Sequence, residues 1–544
     1  MAGGEARGEN SEENMTQVTS VTTESAKTAV LGDPISYHDA LSREDRESWQ
    51  KACDEELETL KKFGVYEEVP WPHDRKIVGS KWVFRMKMGP DGQIERYKAR
   101  LIAQGFSQVE GIDYNETLAP VTKFNSIRLL LALSARFDWE IHQMDVKSAF
   151  LNGELDEEIY MRPPPGYKST PGTVWRLKKT LYGLKQASRE WYKKLSHELD
   201  TLGFSRIQAD HCVFYKNVNG HHIIIAVYVD DNLIISDSPD LVAQTKKDLS
   251  SRFDMTDLGE VHWILNMEVT RDRSKRTIRL SQSQYIEDIL ERHGMADCKP
   301  AATPMEANLK LEKLNAAEVD MTEYQQLIGS LMYGSIGTRF DIAHDVGILS
   351  RHNHSPGKRH HTAVKRVFRY LRGASDNHIL YDGKSATEGP VLYCDADWAG
   401  DPTDRKSVSG YTAILSGAAI SWSSKKQATV SLSSTKAEYI ATARAAQEAT
   451  WIHTFLSEIG HPLKKPITLF VDNQSAIKLI QNPVAHDRTK HIDIKYHFIR
   501  DAQARGIIKV EYCPTNDQVA DVLTKPLSRE KHKRFTEQMG LRNA

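Results

Sequence analysis

At 544 residues the chain is long enough for more than one domain and for well-filled cores. Acids and bases nearly cancel, 73 against 72, so attraction to a nucleic acid or membrane surface has to come from local patches, and no apolar run is long enough to span a bilayer. The start, MAGGEARGENSEENMTQVTS, lacks the basic and apolar segments of a secretory signal. The five cysteines (Cys53, Cys212, Cys298, Cys394, Cys513) are odd in number, scattered and never spaced CxxC, which argues against a disulfide framework and for a reducing compartment.

Taken in order, residues 1–33 are small, polar and acidic, the composition of a disordered segment. A helix follows, with Trp49, Cys53, Leu57 and Leu60 on one face, Ser42 placed to cap it and Gly64 beyond its end. KWVFRMKMGPDGQIERYKARLIAQ reads as a hairpin of two alternating runs joined at Pro90-Asp91-Gly92. NSIRLLLALSARF is helical, and EIHQMDV is a strand carrying Asp145 near its end. HCVFYKNVNGHHIIIAVYVDDNLIIS reads as strand, Asn219-Gly220 turn, strand, tight turn, strand. Residues 240–253 are helical, 261–281 strand-rich and 282–380 mostly helical. Strands at 391–396, 409–416 and 418–424 come next, then a helix from Ser434 and a strand at 467–471. Two helices (the second over HIDIKYHFIRDAQARG), a strand at 507–512 and a last helix complete the order βββαβααβα, an α/β layer on a mixed sheet.

Two acidic sets stand out. Adjacent buried carboxylates repel and lose hydration, so Asp230 and Asp231 persist together only beside positive charge. Mg²⁺ with oxygen ligands supplies that charge and recruits phosphates. If the strand ending at Asp145 neighbours the tight turn, the three carboxylates form one site for in-line phosphoryl transfer. Taken alone, an Asp pair reads equally well as a polar hairpin tip. The second set is spread over later elements: Asp395 on a strand, Glu438 in the first turns of a long helix, Asp472 at a strand end and Asp521 in the last helix. Singly each is an ordinary cap or solvated acid; together they are the inventory of two-metal phosphodiester hydrolysis.

YKARLIAQGFSQ (97–108), QMDVKSAFLNGELDEEIYMRPPPGY (143–167), LYGLKQASREWY (181–192) and YVDD (228–231) together resemble the reverse transcriptase of copia-type LTR retrotransposons. The later set, with SWSSKKQATVSLSSTKAEY and RTKHIDIKYHFIR, is similar to the copia-type ribonuclease H. The resemblance implies that Asp145, Asp230 and Asp231 hold polymerase metals and that Phe150 excludes a 2′-hydroxyl. It implies that Tyr182, Gly183 and Lys185 pack on nucleotide and template, and that Lys98 and Arg100 meet the triphosphate. It assigns Asp395, Glu438, Asp472 and Asp521 to a second metal site. For Lys98 and Arg100 a solvated basic strand face is the plain alternative.

PGKRHHTAVKRVFRYLRG (356–373) puts Val364, Val367, Phe368 and Leu371 on one helical stripe and Lys365, Arg366, Arg369 and Arg372 on the rest, with no acid in 351–373. That reads as a track for a duplex backbone, or as a solvated basic face. Two departures from the family pattern stand out. EYCPTNDQVAD lacks the histidine that many ribonucleases H carry before the last aspartate; His491 and His497 lie earlier, on the predicted helix, and read as structural or RNA-facing. Hydrolysis is then expected to be slower or less pH-sensitive. WILNMEV has Asn266 where the family generally has glycine, in the strand pair thought to hold the primer end; Asn tolerates positive φ, so the turn can survive.

The expected fold is an α+β right-hand polymerase with a C-terminal α/β ribonuclease H-like domain: disordered 1–33, fingers and palm 34–275, helical thumb and connection 276–388, ribonuclease H 389–526, tail 527–544. The expected function is RNA-directed DNA synthesis with cutting of the RNA strand, two Mg²⁺ (or Mn²⁺) per site. Implied partners are an RNA template, a DNA primer, RNA–DNA hybrid and deoxynucleoside triphosphates. Self-association or other Pol products are left open, and no membrane is implied. The rival is a remnant that binds nucleic acid without turnover. With no protease, zinc-knuckle or integrase zinc motif, the chain reads as a polyprotein product or a partial frame. It is expected in the cytoplasm in virus-like particles, with nuclear entry open.

Overall fold

The computed structural model describes residues 32–88, 93–307, 309–385, 387–481 and 493–543. The predicted disorder at 1–33, the Pro90-Asp91-Gly92 turn and His491 thus fall wholly or mostly outside the described residues. The chain forms two compact units, one drawn from Met1–Ala119 and Ser148–His197, the other from Pro120–Lys147 and Glu198–Ala544. These cut across the predicted 34–275 region.

In the first unit, strands Ser80–Met88 and Ile94–Ala103 pair antiparallel, and helix Arg46–Lys62 packs on the second of them. The helix buries Trp49, Cys53 and Leu60 as its periodicity requires. Ser42 does not cap it: Ser42 ends a short preceding helix, Tyr37–Ser42, and donates to the Asp39 carbonyl, so Arg46–Lys62 starts after Asp45. A four-stranded sheet, in the order Tyr66–Pro70, Thr173–Lys179, Glu154–Met161, Ile77–Val78, completes the unit.

The second unit holds a six-stranded antiparallel sheet in the order Met255–Glu260, Glu140–Val146, Asp231–Ser236, His221–Tyr228, Val213–Val218, Ser205–Arg206. Asn219 and Gly220 both take positive φ (54° and 91°), the two-residue turn that matches strand twist. Helices Ser283–Arg292, Met321–Gly337, Ala343–Leu349 and Lys358–Arg372 share a core. In the last of these Val364, Val367, Phe368 and Leu371 are fully buried, worth roughly 1.5–3 kcal/mol apiece over exposure. A mixed sheet follows in the order Ala418–Lys426, Val408–Leu415, Val391–Ala396, Ile467–Val471, Ile508–Tyr512. The last two strands run parallel to Val391–Ala396, and helix Ser434–Glu458 packs across it.

Residues 527–543 are not a tail. Helix Arg529–Gln538 buries Phe535, and Leu541–Arg542 pairs with His378–Asp382, because Phe535, Met539 and Leu541 are apolar enough to be drawn into the core. One core runs from the six-stranded sheet into the mixed sheet. Arg128, on helix Phe124–Phe137, is pinned inside it: it donates to the carbonyls of Ile420 (2.9 Å), Ile336 (2.7 Å) and Gly337 (2.8 Å), with its guanidinium 3.8 Å from the Trp422 ring.

Candidate active sites

The hairpin His221–Tyr228/Asp231–Ser236 closes on the pair Tyr228↔Asp231, leaving Val229 and Asp230 as a two-residue turn. Asp231 stands directly across from Asp145 on the neighbouring strand. The three residues therefore sit together at the ends of adjacent interior strands of the six-stranded sheet. Like charges directly opposed across strands repel, so this arrangement needs support. Gln143 gives some, donating to Asp231 Oδ1 at 3.0 Å. Burial and the charge of Asp230 still hold the Asp231 carboxyl above its ordinary pKa, against the Gln143 hydrogen bond. Val229 takes φ +59°, a conformation that strains a β-branched residue by roughly 1–3 kcal/mol. The turn is held because the Asp230 carbonyl accepts from Val146 N (3.0 Å) and Asn232 Nδ2 (3.1 Å).

In the second set, Asp395 lies near the end of the central strand Val391–Ala396 and is 2% exposed. Glu438 sits one turn into helix Ser434–Glu458, which Ser433 caps by accepting from Lys436 N. Asp472 follows strand Ile467–Val471. Ligand atoms of these three lie within 4.8 Å of one another. Asp521 is not in a helix of the predicted kind but in a short 3₁₀ turn, Val519–Leu523. Gln518 tethers that turn to the Cys394 carbonyl (3.0 Å), and Pro526 stops helical propagation soon after. Gly410, paired with Asp395, makes room for it: a Cβ there would lie 2.7 Å from Thr524 Cγ2 and 2.9 Å from Leu523 Cβ.

Burial, reinforced by Asp521 and Asp472, pushes the Asp395 carboxyl up to about 7 against the opposing pull of Lys525 and Thr524. Burial and the neighbouring Asp395 and Asp472 raise Glu438 as well; burial first also raises Asp472, although Thr515 donates to it. Glu438 Oε2 is buried without a hydrogen-bond partner. A buried, unsatisfied carboxylate oxygen facing two further acids fits a divalent cation with oxygen ligands. Sequence reasoning missed the cations already there. Lys525 Nζ lies 2.7 Å from Asp521 Oδ1 and 3.4 Å from Asp395 Oδ2, and Lys531 Nζ lies 2.6 Å from Asp521 Oδ2. The i,i+4 spacing from Asp521 to Lys525 was the available signal. Gln143 could likewise be found from its i,i+2 spacing to Asp145 on one strand face.

The residues expected to meet a nucleotide lie in the first unit. Phe150, in the turn Ala149–Asn152, meets the Tyr182 ring edge-on at 4.9 Å, and the Arg100 guanidinium lies 4.2 Å from the same ring. Gly183 has φ +91°, and a Cβ there would stand 2.2 Å from the Ala103 carbonyl, so the Tyr182–Gly183 turn fits only as glycine. Lys185 donates to Tyr114 Oη at 3.1 Å. Lys98, half-buried, has its ammonium pKa lowered by desolvation and by Arg100.

Residues 63–307 match the family model for reverse transcriptase (RNA-dependent DNA polymerase). A putative transposon Ty5-1 protein of Saccharomyces cerevisiae is 34% identical over 309 residues, which are 56% of this chain and 100% of that protein. The retrovirus-related Pol polyprotein from transposon TNT 1-94 of Nicotiana tabacum is 43% identical over 94% of this chain and 39% of its own length. The one from transposon RE1 of Arabidopsis thaliana is 42% identical over 91% and 34%. The chain belongs to the copia-type retrotransposon Pol family. It spans well under half the length of the two plant Pol polyproteins.

Within this Pol chain the basic helix Lys358–Arg372 is only partly available to a partner. Arg366 reaches Glu306 (3.0 Å) and Thr303 (3.1 Å), and Arg369 donates to the Lys299 carbonyl (2.7 Å), while Lys365 and Arg372 are exposed. Asn266 takes φ +53° beside Leu265 at +49°, so the turn between Trp263–Ile264 and Met267–Asp272 closes without glycine, and Tyr333 donates to the Leu265 carbonyl. His497 lies exposed on helix Asp493–Ala504.

Proposed function

We propose that this Pol chain is an RNA-directed DNA polymerase with a second, ribonuclease H-type active site, the six-stranded sheet acting as palm, the first unit as fingers, the helices of 283–372 as thumb and connection, and the 389–526 sheet as the ribonuclease H domain. The observation that carries the reading is the cross-strand pair Asp145↔Asp231 with Asp230 in the intervening turn, in a chain of the reverse transcriptase family. Asp145, Asp230 and Asp231 would hold divalent metal at the polymerase site, and Asp395, Glu438 and Asp472 at the second site. Bound there, such ions supply charge stabilisation for phosphoryl transfer.

In synthesis the primer 3′-oxygen bonds to the α-phosphorus and pyrophosphate leaves. Phe150, braced by Tyr182, excludes a 2′-hydroxyl by its bulk, Arg100 and Lys98 attract the triphosphate, and Gly183 with Lys185 shapes the floor of that subsite. Lys365 and Arg372 offer backbone contacts to the RNA–DNA hybrid. The rival reading, binding without turnover, draws mild support from Asn266, where the family generally has glycine; Asn266 takes the left-handed conformation that such a turn requires. The test is incubation of the chain with a DNA primer annealed to RNA, deoxynucleotides and Mg²⁺. Elongated DNA is the expected result; a bound but unextended primer refutes the proposal.

A further inference from the structure

The second carboxylate set carries more positive charge than a plain metal site needs. Asp395, Glu438 and Asp472 converge within 4.8 Å, and Glu438 Oε2, on a side chain that is almost wholly buried, has no hydrogen-bond partner. That is one cation position. Asp521 stands outside it, with one oxygen accepting a hydrogen bond from Lys531 at 2.6 Å and the other, which accepts no hydrogen bond, in charge contact with Lys525 at 2.7 Å. Lys525 also reaches Asp395 Oδ2 at 3.4 Å, so its ammonium lies between the two acids, the place a second ion would take.

Resting on the reading of this set as a hydrolytic metal site, we propose that Lys525 is a positioning residue whose ammonium fills the second cation place between Asp395 and Asp521. The free protein then binds one divalent ion at Asp395, Glu438 and Asp472, and a second only when Lys525 is displaced. Physical chemistry favours this. Asp521 is fully buried, and two unpaired carboxylates at that depth would be costly without compensation. An ammonium is a compact point charge already tethered to the chain, and it meets both acids at a smaller dehydration cost than Mg²⁺, which gives up its waters reluctantly. The Lys525 side chain is 38% exposed, so it can swing to solvent when something replaces it.

The experiment uses the full chain carrying Asp145→Asn, Asp230→Asn and Asp231→Asn, together with His142→Gln to silence the Glu140–His142–Glu260 cluster. Bound Mn²⁺ is counted from the loss of the free-ion EPR signal, with near-UV circular dichroism reporting folding. The parent and Lys525→Arg should bind one ion. Lys525→Met should bind two, the second roughly tenfold tighter than any second ion in the parent. Lys525→Gln, which keeps a donor for Asp521, is run beside it so that a folding failure of the Met variant does not decide the result. Two ions in the parent, or one in both neutral variants, overturn the role of Lys525 and leave the metal site standing. No saturable Mn²⁺ in any variant overturns both.

Discussion

At the 221–236 hairpin the carboxylates stand half-buried at strand ends, supported by the Gln143 amide on Asp231 and by Val146 N and the Asn232 amide on the Asp230 carbonyl. In the 389–526 region Asp395, Glu438 and Asp521 are buried and Asp472 is half-buried, with two lysines drawn in among them. The difference follows from depth. At half-buried strand ends, water screens like charges and a strained turn at Val229 is enough to hold the geometry. Under the surface the same repulsion has to be met by a counter-charge or by a proton.

The sharpest way to break the comparison is to neutralise one acid at a time. Asp145→Asn should lower DNA synthesis by about 1,000-fold while RNA-strand cutting is unchanged, measured by steady-state rates for each product. Loss of both together would mean the two regions are not separate sites.

Next in size is the tie between them. Arg128→Met leaves the Ile420, Ile336 and Gly337 carbonyls without their donor in the core, and should destabilise the chain by about 3–5 kcal/mol, read from the denaturant midpoint. A change near zero would mean the shared core tolerates the gap.

A smaller effect tests the depth argument through pH. Asp395 is raised to about 7 in the folded chain. The folded state therefore holds a proton that the unfolded state releases near pH 4, and metal-free stability should fall as pH rises from about 4 to about 7. Mg²⁺ should then raise the melting temperature more at pH 8 than at pH 5, because protons no longer compete for the ligands. An equal metal effect at both pH values would contradict a raised Asp395 carboxyl.

The smallest expected effect is at Asn266. Since it already takes the left-handed conformation, Asn266→Gly should change stability by less than about 0.5 kcal/mol and leave primer extension near wild type, in a direct rate comparison.

Much of this was legible in the chain. A continuous apolar run from Ile223 to Val229, broken by Asp230 and Asp231 and resumed at Leu233, points to a hairpin, and the strand ending in Val146 supplies the third acid. Asp395 and Asp472 announce themselves at the ends of apolar strands. What was not legible depends on partners distant in sequence. Arg128 interrupts an apolar helix, and its bonds to carbonyls 208, 209 and 292 residues away explain it. Arg366 and Arg369 read as a free cationic face because Glu306, Thr303 and the Lys299 carbonyl, which engage them, lie on a separate segment. Asp521 read as helical because the 3₁₀ turn is set by tertiary tethering through Gln518, not by local periodicity.

The central claim is that one chain carries two independent phosphodiester sites. It is tested most directly by extending a DNA primer on an end-labelled RNA template with Mg²⁺, reading both strands, for wild type, Asp231→Asn and Asp395→Asn. The account predicts that wild type lengthens DNA and shortens RNA, that Asp231→Asn only cuts, and that Asp395→Asn only extends. A wild type that binds the hybrid and alters neither strand, or a single substitution that abolishes both activities, would contradict it.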